Sequence, residues 1–195
     1  MKKQQIGVIL GVAFLLLLAD QLLKFYVKLN FTLGETREIF SWFQLCFVEN
    51  DGMAFGIEWF DKLFLTLFRI VAVGLLIWYM VRLCRAGVST GYLAVIALLT
   101  AGALGNIIDC LFYGLFFSAS TPWEVASIVS WGEGYADFFY GRVVDMFYFP
   151  IIHNAAGQVI FFRPVFNLAD SAITVSVFLI LLVPSFRRAL NESLK

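Results

Sequence analysis

The chain has 195 residues, with 14 Lys+Arg against 14 Asp+Glu, 61% apolar residues, 17% aromatic and only 14% charged. A soluble domain carries roughly 25% charged residues, so this composition, with a mean hydropathy of +0.86, excludes an ordinary water-exposed surface and implies an integral membrane protein. The zero net charge argues against a nucleic-acid or acidic-substrate surface, and Cys46, Cys84, Cys110 and His153 share no spacing that indicates a disulfide framework, a zinc site or any cofactor.

Crossing a bilayer as a helix takes about 20 apolar residues. The first such run is about Ile6 to Val27. Lys2 and Lys3 precede it as they would a secretory signal, but Ala19-Asp20-Gln21 leads on into Leu22-Leu23-Lys24-Phe25-Tyr26 instead of ending at small residues, so a retained helix is expected. Asp20 and Lys24 stand one turn apart with the acid first, the better order for a pair.

A long connection follows, about Lys28 to Lys62. Within it Arg37 to Val48 is rich in aromatic and branched residues and ends at the turn-like Glu49-Asn50-Asp51-Gly52, a strand signal. The second span is about Leu63 to Leu83, with Arg69 a third of the way along it, placed to snorkel or to balance an acid. The third is about Tyr92 to Tyr113. Asn106 and Asp109 share a face there at i, i+3, and Gly102 and Gly105 permit close approach of another backbone; the pair reads equally as interhelical hydrogen-bonding glue.

The second long connection, about Gly114 to Phe166, contains Asp145 within Gly141-Arg142-Val143-Val144-Asp145-Met146-Phe147. A loop aspartate is ordinarily solvated, but this segment is apolar enough to fold back on the helices and bring Asp145 opposite Asp170. Phe147 to Ile152 and Val159 to Val165 flank a hairpin turn. The fourth span, about Asn167 to Phe186, opens with a polar stripe of Asn167, Asp170, Ser171 and Thr174, and Asn167 reads equally as an N-cap with Asp170 in the first turn.

Four spans put both termini on one side. Lys2 and Lys3, Arg82 and Arg85, and Arg187 and Arg188 all flank that side, which the positive-inside rule makes the cytoplasm. The expected fold is therefore an all-α membrane protein, one domain over residues 1–195, with four transmembrane helices and small extracytoplasmic β elements. Topology then carries Asp20, Asp109 and Asp170 toward the outer face.

A carboxylate within a membrane costs roughly 3 kcal/mol at a helix centre and is usually functional. With no serine–histidine or cysteine–histidine pair, no phosphate-cradling loop and no metal cluster legible in the chain, carboxylate acid–base chemistry remains. Two aspartates about 3 Å apart share a proton, one activating water while the other protonates a carbonyl oxygen. The competing reading is a proton-coupled small transporter or an assembly factor, although a transporter would be expected to use more spans and acids nearer the midplane. A presenilin-type protease would carry Gly-x-Gly-Asp, whereas Val144 and Ala169 precede the two acids here.

Five blocks in order resemble the lipoprotein signal peptidase (signal peptidase II) family: Asp20-Gln21-Leu22-Leu23-Lys24; Val48-Glu49-Asn50-Asp51-Gly52-Met53-Ala54-Phe55-Gly56; Gly102-Ala103-Leu104-Gly105-Asn106-Ile107-Ile108-Asp109; Gly141-Arg142-Val143-Val144-Asp145; and Phe166-Asn167-Leu168-Ala169-Asp170-Ser171-Ala172. The resemblance implies a monomeric aspartyl endopeptidase of the bacterial cytoplasmic membrane, without cofactor, acting near the outer leaflet. Its substrates would be diacylglyceryl-modified prolipoproteins, cut before the lipidated cysteine, and its other partners membrane lipids. By motif match Asp145 and Asp170 would be the catalytic pair, with Asp20, Lys24, Asn50, Gly52, Asn106, Asp109, Asn167 and Ala169 shaping the site or contacting substrate.

Two departures stand out. The family's third-helix block runs on to arginine after the aspartate, but here Cys110 follows Asp109, leaving Arg142, Arg163 or Arg69 as possible replacements. Leu115 to Tyr140 is an apparent insertion whose Pro122, Trp123, Trp131, Tyr135, Phe138, Phe139 and Tyr140 read as an interfacial helix or flap modulating substrate access.

Overall fold

The computed structural model describes residues 3–51, 62–154, 159–161 and 164–193. Its element order is α1 (Lys3–Asn30), β1 (Thr36–Phe40), β2 (Phe43–Asn50), α2 (Lys62–Arg85), α3 (Thr90–Ile108), a π-helical turn (Asp109–Tyr113), α4 (Gly114–Phe116), β3 (Val143–Tyr148), β4 (Ile152–His153), β5 (Val159–Phe161), α5 (Leu168–Leu182) and α6 (Pro184–Ser193). Among the described residues three helices are long and apolar enough to cross a membrane: Lys3–Asn30, Lys62–Arg85 and Thr90–Phe116. On the first two of them Leu10, Phe14, Leu15, Leu75 and Trp78 stand exposed, as lipid-facing residues do.

The chain gathers into two compact units. One comprises the residues up to Asp20, Leu67–Ile107 and those from Leu168 onward; the other comprises Gln21–Thr66 and Ile108–Asn167.

In the first unit α3 is the central helix, burying Tyr92, Leu93, Ile96, Ala97, Ala101 and Gly105 among others. Its glycines set the helix spacing. A Cβ on Gly102 would lie 2.6 Å from the Ala169 carbonyl oxygen, and one on Gly105 would lie 2.7 Å from the Asp20 carboxylate and 3.2 Å from the Ala169 methyl. The close approach expected of these two glycines is thus made to α1 and α5. At the other end of α3, Leu83, Cys84, Tyr92, Leu93, Ile96 and Ile180 form a buried apolar cluster against which Phe186 packs.

The fourth apolar helix is shorter than its hydropathy implied. The expected span of about Asn167 to Phe186 resolves into α5, 15 residues ending at Leu182, a bend at Val183, and a separate helix from Pro184. Proline lacks the N–H that would continue the ladder and disfavours helical backbone in the residue before it, so the helix ends here in spite of its apolar content.

In the second unit the expected strand Arg37–Val48 is a hairpin, β1 and β2 being joined at Ser41-Trp42. Strand order is β1-β2-β3, antiparallel throughout. In the β2–β3 register Val48 faces Asp145, Glu49 faces Val144 and Asn50 faces Val143. Because side chains alternate across a strand, Val48, Asn50, Val143 and Asp145 share one face, while Glu49 and Val144 occupy the other. The later hairpin starts beyond Phe147, at Ile152–His153 against Val159–Phe161, because Phe147 and Tyr148 are paired with β2. The unit's core is Val27, Phe31, Phe47, Tyr113, Phe117, Val144 and Met146.

Of the interfacial helix or flap expected over 115–140, the helix is not formed. Beyond Phe116 no helix forms before β3, consistent with Pro122, Gly132, Gly134 and a run of serine and threonine that favours turns. The segment is nevertheless woven into the unit. Ser118 N–H donates to Ser127 O at 2.9 Å, Val129 N–H to Phe116 O at 2.9 Å and Tyr135 N–H to Phe117 O at 3.0 Å. Phe117, Ser120 and Ala126 are buried, while Trp123 is 83% and Trp131 68% exposed, the distribution of an anchored loop with an aromatic rim.

Candidate active site

Each unit holds acidic residues in a built environment. In the second unit Asp145 lies on β3 and is buried. Asn50, diagonal to it on the same sheet face, donates its amide to Asp145 Oδ2 at 3.2 Å, and Asn167 donates to Oδ1 at 2.7 Å. Asn167 is held for this by the residue before it: Phe147 N–H donates to Phe166 O at 2.7 Å and Phe166 N–H to Phe147 O at 3.1 Å. The aspartate that looked like a solvated turn residue is therefore a strand residue whose two oxygens each face an amide donor.

In the first unit Asp170 sits in the first turn of α5, where the positive end of the helix dipole favours a carboxylate. Asn106 donates to its Oδ1 at 2.7 Å. Asp20, buried on α1, accepts the N–H of Ala169 at 2.9 Å, satisfying one of the amide groups that a helix start leaves unpaired. Ala169 is small where Gly102 and Gly105 approach it, so a larger side chain would force α3 and α5 apart.

Asp109 has a different environment. Lys24 Nζ lies 2.8 Å from Asp109 Oδ2 with both side chains fully buried. Gln21 donates to Oδ1 at 3.0 Å, the Val144 N–H donates to Oδ2 at 3.3 Å, and Tyr113 OH donates to Gln21 Oε1 at 3.0 Å. Among the described residues the cation beside Asp109 is thus Lys24, the residue whose spacing pointed to Asp20. Arg142 instead pairs with Glu49 at 3.3 Å and Asp51 at 3.4 Å. Arg69 is half-buried on α2; Arg163 and Gly52 lie outside the described residues.

Asp109 opens the π-helical turn, and glycine is required where β3 is fed past it. A Cβ on Gly141 would fall 2.1 Å from the Asp109 carbonyl oxygen, and Gly141 N–H donates to Cys110 O at 2.9 Å. The segment Arg142-Val143-Val144-Asp145 starts from that crossing.

Sequence reasoning passed over a second buried polar group. Lys28, one turn beyond Lys24, pairs with Glu49 and donates to Ser120 Oγ at 3.0 Å; Ser120 in turn donates to Glu49 Oε1 at 3.0 Å. Lys28 Nζ lies 4.8 Å from the centre of the Tyr135 ring, and Tyr135 OH accepts the Arg142 N–H at 2.6 Å. Burial pushes the Tyr135 hydroxyl above its usual range. The signals were present in Lys24-x-x-x-Lys28 on one helix face and in Glu49 next to Asn50 on opposite strand faces, but nothing local shows that they meet. Asp51 lies outside this group: burial pushes its carboxyl up, and Lys62 at 2.6 Å with Arg142 outweighs that and holds it below the usual range.

Comparison with known proteins gives a consistent result. The family model for signal peptidase (SPase) II matches residues 12–186. A lipoprotein signal peptidase of Porphyromonas gingivalis is 45% identical over 184 residues, covering 89% of this chain and 81% of that one. One from Amoebophilus asiaticus is 36% identical over 88% and 75% respectively. A bacterial membrane enzyme solved by the in meso method at 1.9 Å resolution shares the fold, with a TM-score of 0.61 at 24% identity over 92% of this chain and 95% of that one.

Proposed function

The chain belongs to the signal peptidase II family, and from that premise we propose that it is a membrane aspartic endopeptidase removing the signal peptide from diacylglyceryl-modified prolipoproteins, with Asp145 and Asp170 as the catalytic pair. The observation that carries the assignment is the different treatment of the four acids. Asp145 and Asp170 are oriented by asparagine amides, from Asn50, Asn167 and Asn106, which fix a carboxylate without supplying a compensating charge. Asp109 is neutralised by Lys24, and Asp20 is engaged by the start of α5.

In the proposed reaction the unprotonated member takes a proton from water as the oxygen attacks the scissile carbonyl, and its protonated partner donates to the carbonyl oxygen. Collapse of the tetrahedral species breaks the C–N bond: the amine leaves with the proton taken from water, and the hydroxyl formed from the carbonyl oxygen returns its proton to the acid that gave it. Asn50, Asn106 and Asn167 hold the acids in position; Asp20 and Ala169 support the helix that carries Asp170, and Lys24 with Asp109 supports the strand that carries Asp145. Cleavage falls before the lipidated cysteine, whose acyl chains stay in the bilayer.

The reading extends to topology. Four spans, counting α5 as the fourth, would set both termini in the cytoplasm of a bacterial cell, the acids near the outer leaflet of the cytoplasmic membrane, and the whole chain as one monomeric peptidase domain. The flanking Lys3, Arg82, Arg85, Arg187 and Arg188 support that orientation.

The deciding assay is cleavage of a diacylated prolipoprotein by purified wild type, Asp145→Asn and Asp170→Asn. Each substitution is expected to lower the rate at least about a thousandfold while thermal unfolding shows a folded protein. Cleavage retained by either variant would remove that residue from the pair, and no cleavage by wild type would favour the transporter or assembly reading.

A further inference from the structure

The first unit contains a surface cavity of mixed polar and apolar lining, with Arg82, Ser89, Ser185 and Arg188 exposed at it, that the peptidase reading does not use. It has a volume of about 600 Å³ and is lined by Arg82, Leu83, Gly87, Ser89, Ser185 and Arg188 among others. These residues come from the last turn of α2, its connection to α3, and the start of α6. Asn106 stands 16 residues along α3 from Thr90, roughly 24 Å at helical rise, so the cavity and the Asn106–Asp170 contact lie toward opposite ends of that helix.

The break at Val183-Pro184 creates this cavity. Were α5 to continue straight, Ser185 and Arg188 would project onward with it; instead α6 starts afresh, Phe186 packs on Tyr92 with ring centres 5.6 Å apart, and Arg188 lines the same cavity as Arg82. Gly87, at φ +72°, turns the chain from α2 to α3 in a conformation that other residues adopt at a cost. The α3 start and the 10-residue α6 both begin at the cavity, adding the positive ends of two helices.

Its lining is cationic. Among the described side chains no carboxylate pairs with Arg82 or Arg188, and no acid is among the lining residues. Two guanidinium groups with two serine hydroxyls suit a phosphate diester, which arginine grips with two parallel N–H donors. The positive-inside rule accounts for basic residues at this end, but it requires neither a cavity nor convergence.

A second feature separates a lipid from a free anion. Val71, Leu75, Trp78 and Arg82 recur at helical spacing on one face of α2, and the first three are 60%, 61% and 59% exposed. The Trp78 ring lies 5.8 Å from the Arg82 guanidinium. An apolar stripe capped by tryptophan thus leads to the arginine, as an acyl chain leads to its headgroup. We infer that this cavity binds the phosphate headgroup of an anionic phospholipid, with the acyl chain lying along Val71, Leu75 and Trp78.

The test uses the full chain in detergent, titrated with phosphatidylglycerol and, separately, phosphatidylcholine. Arg82→Gln/Arg188→Gln is expected to weaken phosphatidylglycerol binding roughly 30-fold. Arg85→Gln/Arg187→Gln, which removes the same charge outside the cavity, is expected to change it by less than about threefold, and Arg82→Lys/Arg188→Lys to fall between. Equal loss in both glutamine pairs, or equal binding of phosphatidylcholine, would overturn the site. Displacement of the lipid by excess inorganic phosphate would make it a free-anion site instead. If the glutamine pair at 82 and 188 fails to fold, the lysine pair against Arg85→Lys/Arg187→Lys decides. Because the readout is binding, Asp145→Asn should bind phosphatidylglycerol as wild type does, whatever becomes of the catalytic pair.

Discussion

Asp109 and Lys24 are the residues whose roles changed most between chain and fold. The arginine expected after Asp109 is replaced by Cys110, which is buried, and the compensating charge comes from Lys24 85 positions earlier. Breaking a buried pair strands the surviving charge, typically at about 3–5 kcal/mol, whereas removing both charges together is far milder. Lys24→Met should therefore lower the unfolding temperature strongly, and Lys24→Met/Asp109→Leu should recover much of it; equal damage in both would mean that the two residues act independently.

Asp51 offers a pH test at the same scale. Its carboxyl is held below its ordinary value in the folded protein, so its contribution is present above the unfolded value and is lost as pH falls through the folded one. Since the side chain is 45% exposed, the effect should be small. Acidification below about pH 4 should cost wild type slightly more stability than Asp51→Asn, measured as the difference in unfolding temperature between the two across that range.

Among elements, β2 and the 115–140 segment are the most closely linked. Asn50 addresses Asp145 from one face of the strand pair, while on the other face Glu49 is engaged by Lys28, Ser120 and Arg142. Ser120, Phe117 and Tyr135 all come from the segment that looked like an insertion, so it carries part of the support behind the site-bearing strands. Deleting 115–140 is expected to abolish the folded state, as judged by monodispersity and thermal unfolding. Removing only Trp123 and its exposed neighbour Glu124 should leave both near wild type. A folded, active full deletion would restore the modular reading.

The long apolar helices were legible because a bilayer span needs only composition and length, both local properties. The Ser41-Trp42 turn was not, since the aromatic residues that flank it favour strand on either side. Pro184 was visible, but hydropathy alone ran through it.

For the molecule as a whole, the proposed four-span topology predicts that tags at both ends are digested only from the cytoplasmic side of sealed vesicles. A protease-accessible end on the outer side would show that α5, at 15 residues, does not cross. Class, membrane setting and family were written in the chain itself: composition demands a bilayer, and five short blocks in order identify signal peptidase II. The same blocks named Asp145, Asp170, Asn50, Asn106 and Asn167 without showing what each touches. Partnership was decided by the tertiary structure, because whether an amide reaches Asp145 or a lysine reaches Asp109 depends on strand register, on a π turn and on glycines that let helices touch. Those contacts join residues up to 149 positions apart, as between Asp20 and Ala169, and hydropathy, spacing and propensity are all local.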